Sequence, residues 1–84
     1  MSEGIEKELT DFVVETFMFG EGADRVKGDT SLLDQGIIDS TGVLQIVAFL
    51  ESTYGLQVAD EELVRDNFDS LGKLTAFVNK KLGS

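Results

Sequence analysis

The chain has 84 residues, of which 42% are hydrophobic and 27% charged, a composition typical of one small globular domain rather than of a disordered segment. Its 16 acidic residues outnumber its 7 basic ones, and the formal charge of −9 disfavours nucleic-acid binding and favours partners with basic surfaces. The chain has no cysteine and no histidine, which excludes disulfides, zinc–thiolate sites, a protein thiol nucleophile and a Ser-His-Asp triad.

The apolar segments are short and the beginning of the chain is acidic. No apolar run approaches the ~20 residues that a membrane span needs. Residues 1–6 have neither the basic region nor the apolar core of a signal peptide. We therefore expect a single domain over residues 1–84, monomeric and cytoplasmic, without a membrane span and without a nucleic-acid partner.

The first predicted helix runs from residue 3 to about 18, because apolar residues recur at helical spacing with charges on the other faces. Gly20 and Gly22 are expected to end it. The connection over residues 19–39 is longer than most loops, which predicts a short helical turn within it or a functional loop. Its expected core anchors are Leu32, Leu33, Ile37 and Ile38.

A second helix is predicted over residues 40–54, with Asp39 or Ser40 as its N-cap. The buried stripe at spacings of three and four residues comprises Val43, Ile46, Val47, Leu50 and Tyr54. Leu44, Ala48 and Thr41 fall beside that stripe. The helix is uncharged from Ser40 to Leu50, which suggests a central position or a docking face.

The second half of the chain predicts two further helices. Asp60 caps a brief helix that begins with residues 60–63, Asn67-Phe68-Asp69 is a break with Phe68 in the core, and Ser70 caps a last helix that reaches Leu82. No segment alternates at period two for long enough to form a sheet. The predicted fold is all-α: a small four-helix bundle of three longer helices and one short helix, with a long loop between helices 1 and 2.

Three segments together resemble the acyl and peptidyl carrier proteins: Gly36-Ile37-Ile38-Asp39-Ser40, Asp60-Glu61-Glu62-Leu63, and residues 67–71. The resemblance extends from the first helix to Leu82. It implies a non-catalytic carrier in which a transferase, using coenzyme A and magnesium, joins 4′-phosphopantetheine to Ser40 through a phosphodiester. The arm's thiol would hold acyl or aminoacyl groups as thioesters, which fits a chain without cysteine. By the same resemblance, Asp39 would assist the transferase and its metal ion.

The serine motif departs from that of the fatty-acid synthesis carriers. Two residues, rather than one, separate Gly36 from Asp39, and Thr41-Gly42 follow Ser40. This spacing is similar to that of D-alanyl-type and other stand-alone aminoacyl carriers, although residues 67–71 resemble the D-alanyl type less. We expect an AMP-forming ligase to load the carrier and to dock at Thr41, Gly42, Leu44 and Ala48. Gly42 is either tolerated near a helix end or forms a bare patch that a partner's backbone approaches.

Two other classes of function are alternatives to the carrier: a calcium-binding EF-hand and an unmodified adaptor. An EF-hand fails in both available registers, because starting at Asp29 places Leu33 fifth and Asp34 sixth, and starting at Asp34 places Gly36 third. An unmodified acidic adaptor that binds a partner through its apolar second helix remains open, with Ser40 serving only as a cap. A serine that only capped the helix would not need to be exposed, so the exposure of Ser40 separates the two interpretations.

Overall fold

The computed structural model describes residues 2–22 and 26–83, with side chains from residue 4 onward. Four α-helices and one 3₁₀ turn follow in the order α1 Ser2–Phe17, α2 Ser40–Tyr54, the 3₁₀ turn Asp60–Glu62, α3 Arg65–Phe68 and α4 Leu71–Leu82. No strand occurs within these ranges. The predicted all-α fold of three long helices and one short helix is confirmed.

The limits of α2 follow from signals at its two ends. Asp39 is extended and caps the first turn, and Gly55 takes the left-handed conformation with φ 69° and donates its N–H to the Glu51 carbonyl. Glycine adopts this conformation without the steric cost that a Cβ would bring. The predicted helix over residues 40–54 therefore agrees with the structure at both ends.

One hydrophobic core joins all four helices. Its largest fully buried side chains are Phe68, Leu9, Leu32, Ile46, Leu50, Leu71, Leu74, Val13 and Val78. α4 packs against both α1 and α3. Burial of each such side chain contributes roughly 1.5–3 kcal/mol, so these contacts dominate the stability of so small a domain. Phe68 is 1% exposed, as predicted for a residue that plugs the core.

The region between α2 and α4 differs in detail from the prediction. Asp60 does not cap a helix: it is the first residue of the 3₁₀ turn, which Ala59 precedes. The Glu62 carboxylate instead accepts the Ala59 amide at 2.9 Å. Asn67 and Phe68 are not a break but the end of α3. The Ser70 cap is confirmed, because its hydroxyl accepts the Lys73 amide at 3.1 Å.

The connection before α2 contains a short helical turn, one of the two predicted possibilities. The Gln35 amide donates to the Ser31 carbonyl at 3.0 Å, and the Gly36 amide donates to the Leu33 carbonyl at 3.1 Å. Leu32 and Ile38 are buried anchors, as expected, whereas Leu33 and Ile37 are half-buried. This turn leads the chain back towards the start of α2.

Among the helices of the described residues, none has both the length and the apolar character that a membrane crossing requires.

Candidate functional site

Asp39, rather than Ser40, is the N-cap of α2. Its carboxylate accepts the Gly42 amide at 2.9 Å, and its carbonyl accepts the Val43 amide at 2.9 Å. Its backbone is extended, with φ −129° and ψ −167°, as N-cap residues usually are. Ser40 is therefore the first residue of the helix, and its hydroxyl is not needed for capping.

Ser40 is exposed at this helix end. The first amides of a helix have no intrahelical acceptor, and Asp39 satisfies only that of Gly42. The amides of Ser40 and Thr41 thus lie beside a hydroxyl that solvent can reach. Together with the helix dipole, they favour a negatively charged phosphodiester at this position. The residues present fit a phosphopantetheine group on Ser40, whose arm would supply the thiol that the chain lacks.

The loop that leads to Ser40 turns sharply and is fixed by hydrogen bonds. Gly36 has φ 72°, a conformation that favours glycine, as its place in the motif suggested. The Leu32 carbonyl accepts the amides of Ile37 at 2.9 Å and Ile38 at 3.3 Å. Ile38 is only 4% exposed, so the residue two positions before Ser40 is anchored in the core.

A groove of about 320 Å³ borders Ser40 between α2 and the segment containing α3. Its apolar wall includes Leu33, Leu44, Val64 and Phe68, and Ser40 and Arg65 are polar members of its lining. Neither Val64 nor Arg65 was predicted to be a site residue. Only the folded chain brings them next to Ser40, although the Asn67-Phe68-Asp69 motif marked the neighbouring segment.

Of the predicted docking residues, Thr41, Leu44 and Ala48 are exposed on one face of α2, because spacings of three and four residues bring side chains together on a helix. Leu44 is 59% exposed and lines the groove beside Ser40. Ala48 is also exposed, one helical turn further along α2, and borders a depression of about 380 Å³ that Phe12 and Phe49 also line. Thr41 is exposed beside the Gly36 turn. Thr41, Leu44 and Ala48 therefore form one exposed strip along α2, with Leu44 next to the groove.

The interpretation of Gly42 as a bare patch on the surface is wrong, because Gly42 is buried. A Cβ at this position would lie 3.0 Å from Ile38 Cβ and 3.1 Å from Phe17 Cε1. The glycine therefore allows the loop and the end of α1 to approach α2. This packing gives a structural reason for a glycine at position 42, and the stability of Gly42→Ala decides between it and tolerance near a helix end.

The acidic residues near the loop do not form a metal site. Within residues 2–22 and 26–83, no group of three or more carboxylates is placed to hold a metal ion. The arrangement offers instead an exposed nucleophilic hydroxyl at a helix N-terminus, with an ordered loop on one side and an apolar groove on the other.

Comparison with known proteins relates most of the chain to one family. The family described as "Phosphopantetheine attachment site" matches residues 18–78. The D-alanyl carrier proteins of Streptococcus pyogenes serotype M5 (strain Manfredo) and serotype M1 are 30% identical over 74 residues, covering 86% of this chain and 92% of each relative. A chain of a crystal structure titled "Crystal structure of FAD-dependent dehydrogenase" matches with a TM-score of 0.72 and 28% identity, covering 82% of this chain and 96% of that chain.

Proposed function

Since this chain belongs to the phosphopantetheine-attachment family and is a non-catalytic carrier, we propose that Ser40 bears the 4′-phosphopantetheine arm. The observation that supports this proposal is that Asp39 and Ser40, although adjacent, have different positions and roles at the start of α2. Asp39 caps α2, and Ser40 presents an exposed hydroxyl at the first turn. In the unmodified adaptor, Ser40 would serve as the cap of α2, but Asp39 already caps this helix.

The carried group is an aminoacyl group held as a thioester. The serine motif, with Ile37 and Ile38 between Gly36 and Asp39, and the 30% identity to D-alanyl carrier proteins support this assignment. Residues 1–84 act as one carrier domain, monomeric and in the cytoplasm. Its partners are a phosphopantetheinyl transferase and an AMP-forming ligase that activates the amino acid and transfers it to the arm.

The ligase and the transferase approach the start of α2. Leu44 offers the largest exposed apolar side chain there, next to the groove that borders Ser40. An exposed leucine on a helix without charges in its first turn favours an apolar contact rather than pairing of acids with a basic patch. Thr41 and Ala48 extend this contact along the same face of the helix.

The modification assay tests the role of Ser40. The purified chain is incubated with coenzyme A, magnesium and a broad-specificity phosphopantetheinyl transferase, and its intact mass is measured. We expect the mass of one phosphopantetheine to be added to the parent and to Ser52→Ala, a control at an exposed serine of the same helix. Ser40→Ala gains nothing. Equal modification of Ser40→Ala would refute the assignment, and no modification of any chain would favour the unmodified adaptor.

A loading assay then tests the aminoacyl cargo. The modified chain is incubated with ATP and with ligases for D-alanine or for a fatty acid, and the thioester is detected by mass and by cleavage with hydroxylamine. We expect an aminoacyl adduct on the parent and none on Ser40→Ala. Loading by the fatty-acid ligase alone would contradict the assignment of an aminoacyl cargo while leaving the carrier role intact.

The structural relative suggests a second candidate partner, an FAD-dependent dehydrogenase. Such an enzyme would transfer two hydrogen atoms from the carried group to FAD. Its action on the loaded carrier would lower the adduct mass by that of two hydrogen atoms and reduce the flavin in equal amount. An unchanged adduct and an oxidised flavin would exclude this step for the cargo tested.

A further inference from the structure

The carboxylate of Asp69 joins the loop before Ser40 to the junction of α3 and α4. It accepts hydrogen bonds from the Ser31 hydroxyl at 2.8 and 2.9 Å and from the Leu33 amide at 3.1 Å. The Asp69 carbonyl accepts the Leu32 amide at 2.6 Å. Asp69 is only 7% exposed, so water competes poorly for these bonds.

Arg65 completes this cluster from α3. Its Nε donates to the Asp69 carboxylate at 3.1 Å, and its Nη2 donates to Ser31 Oγ at 3.3 Å and to the Asp34 carboxylate. Ser31 Oγ also accepts the Asp34 amide at 3.1 Å. The hydroxyl of Ser31 thus uses its proton and both lone pairs. We call Ser31, Asp34, Arg65 and Asp69 the loop clamp.

Hydrogen bonds continue from the loop clamp to the start of α2. Leu32, whose amide is held by Asp69, accepts the amides of Ile37 and Ile38 on its own carbonyl. Ile38 is buried and directly precedes Asp39, which caps the helix that Ser40 begins. The position of the modification site therefore depends on a continuous series of contacts that starts at Asp69.

We propose that Asp69 is a positioning residue for the modification of Ser40: by clamping residues 31–34 against α3, it keeps the loop in the conformation that presents Asp39 and Ser40 to the transferase. This inference rests on the proposed role of Ser40. Asp69 touches neither the reacting hydroxyl nor the arm. Its carboxylate acts through Ser31 and Leu33, which flank the Leu32 carbonyl that holds the Ile37 and Ile38 amides. A loosened clamp leaves the site intact chemically but lowers the fraction of molecules in which it is correctly presented.

The charge of Asp69 is suited to this role. Burial acts to raise the pKa of its carboxyl, but hydrogen bonds from Ser31, Leu33 and Arg65 outweigh this effect and hold the pKa below its usual range. Asp69 is therefore ionised at neutral pH and accepts from all its donors. An amide would turn an N–H₂ group towards one of them and lose that bond.

The kinetics of modification of Asp69→Asn test the proposal. A substrate that is correctly presented only part of the time binds with a proportionally weaker apparent affinity. We expect the KM of the transferase for the carrier to rise on the order of tenfold, with kcat unchanged. Ser31→Ala, which removes the hydroxyl bridging Asp69 and Arg65, should raise KM in the same direction. This second variant decides the matter if Asp69→Asn does not fold.

Two control variants separate positioning from stability. Asp66→Asn removes an exposed carboxylate of α3 that pairs with Lys73 at 3.7 Å. Val78→Ala destabilises the core from α4, at a fully buried residue outside the loop clamp. Neither should change KM. Unchanged KM values in Asp69→Asn and Ser31→Ala, or an equal rise in Val78→Ala, would overturn the proposal.

Amide hydrogen exchange gives a readout that does not require modification. The amides of Ile37 and Ile38 should exchange faster in Asp69→Asn than in Val78→Ala at matched stability. Equal exchange rates of these amides in the two variants would overturn the proposal that Asp69 fixes the loop, even if the transferase modifies the parent well. If instead the parent is never modified, the assignment of Ser40 fails, and the exchange data still decide whether Asp69 fixes the loop.

Discussion

The carboxylate of Asp39 accepts the Gly42 amide at 2.9 Å, and the next residue, Ser40, stays exposed. This arrangement shows that Asp39 caps α2, and the family resemblance implies a second, separable role. Any residue with a short side-chain oxygen can cap the helix, but only a carboxylate offers the charged oxygen that Mg²⁺ prefers. Substitutions at Asp39 can therefore distinguish stability from the assistance to the transferase that the family resemblance implies.

Asp39→Asn should keep the stability of the chain and slow its modification. The asparagine oxygen still accepts the Gly42 amide, whereas Asp39→Ala loses the cap and about 1 kcal/mol of unfolding free energy. We expect both variants to lower kcat/KM of modification by on the order of tenfold or more. Urea denaturation and transferase kinetics measure the two effects. Normal modification of Asp39→Asn would leave capping as the only role of Asp39.

Gly42→Ala should destabilise the chain although alanine is the better helix former. Alanine gains up to ~1 kcal/mol in helix propensity. Its Cβ would, however, lie 3.0 Å from Ile38 Cβ, and such overpacking costs typically 1–3 kcal/mol. We expect a net loss of about 1 kcal/mol. Gly4→Ala is the matched control in the first turn of α1, where a Cβ meets nothing within 4 Å, and it should not destabilise the chain. Higher stability of Gly42→Ala would contradict the close packing described above.

The features predicted best from the sequence are the helix ends, which depend on residues close together in the chain. Asp39 and Gly55 define α2, and Ser70 caps α4, because capping is decided within a few positions of the helix end. The burial of Gly42 depends on Phe17, 25 positions earlier in the chain, and could not be read from a local pattern. The same limit applies to the loop clamp.

The contacts of Asp69 illustrate why the site was only partly predictable. Asp69 and Ser31 are 38 positions apart, and nothing in either segment specifies the other as its partner. Without the fold, Asn67-Phe68-Asp69 was interpreted as a break. Its acidic residue instead fixes the loop before Ser40, and its phenylalanine lines the groove on the other side. The start of α2 at Asp39 and Ser40 was predictable because its signal is a local motif.

Leu44→Lys should impair loading without weakening the fold. Leu44 is 59% exposed, so its replacement costs little folding free energy, but a lysine would desolvate poorly in an apolar contact with the ligase. We expect the rate of aminoacyl loading to fall on the order of tenfold. Leu82→Lys, at a residue 49% exposed near the end of α4, is the matched control and should load normally. Unchanged loading of Leu44→Lys would place the ligase contact elsewhere.

Tyr54 should titrate well above an ordinary tyrosine. Its partial burial, its hydrogen bond to Glu8 at 3.0 Å and the charge of Glu8 together raise its pKa to about 12. Because the folded pKa exceeds the usual value of 10.0, the corresponding stability is complete below pH 10 and is lost as pH rises towards 12. The chain has one tyrosine and no tryptophan, so phenolate absorbance reports this group alone.

A variant identifies the contribution of Glu8 to this shift. Glu8→Gln removes the negative charge, so the pKa of Tyr54 should fall but remain above 10 because burial persists. Circular dichroism at each pH verifies that the helices are intact during the titration. A parent pKa near 10 in the folded chain would show that the contact between α1 and α2 is not formed as described.

Localisation of the arm tests the central claim most directly. The modified chain is digested, and the peptide that carries phosphopantetheine is fragmented in a mass spectrometer. Ser40 and Thr41 are adjacent hydroxyl residues at the start of α2, so the fragment ions must separate them. The account predicts that the whole added mass resides on Ser40. An arm on Thr41, or on a serine outside α2, would contradict it.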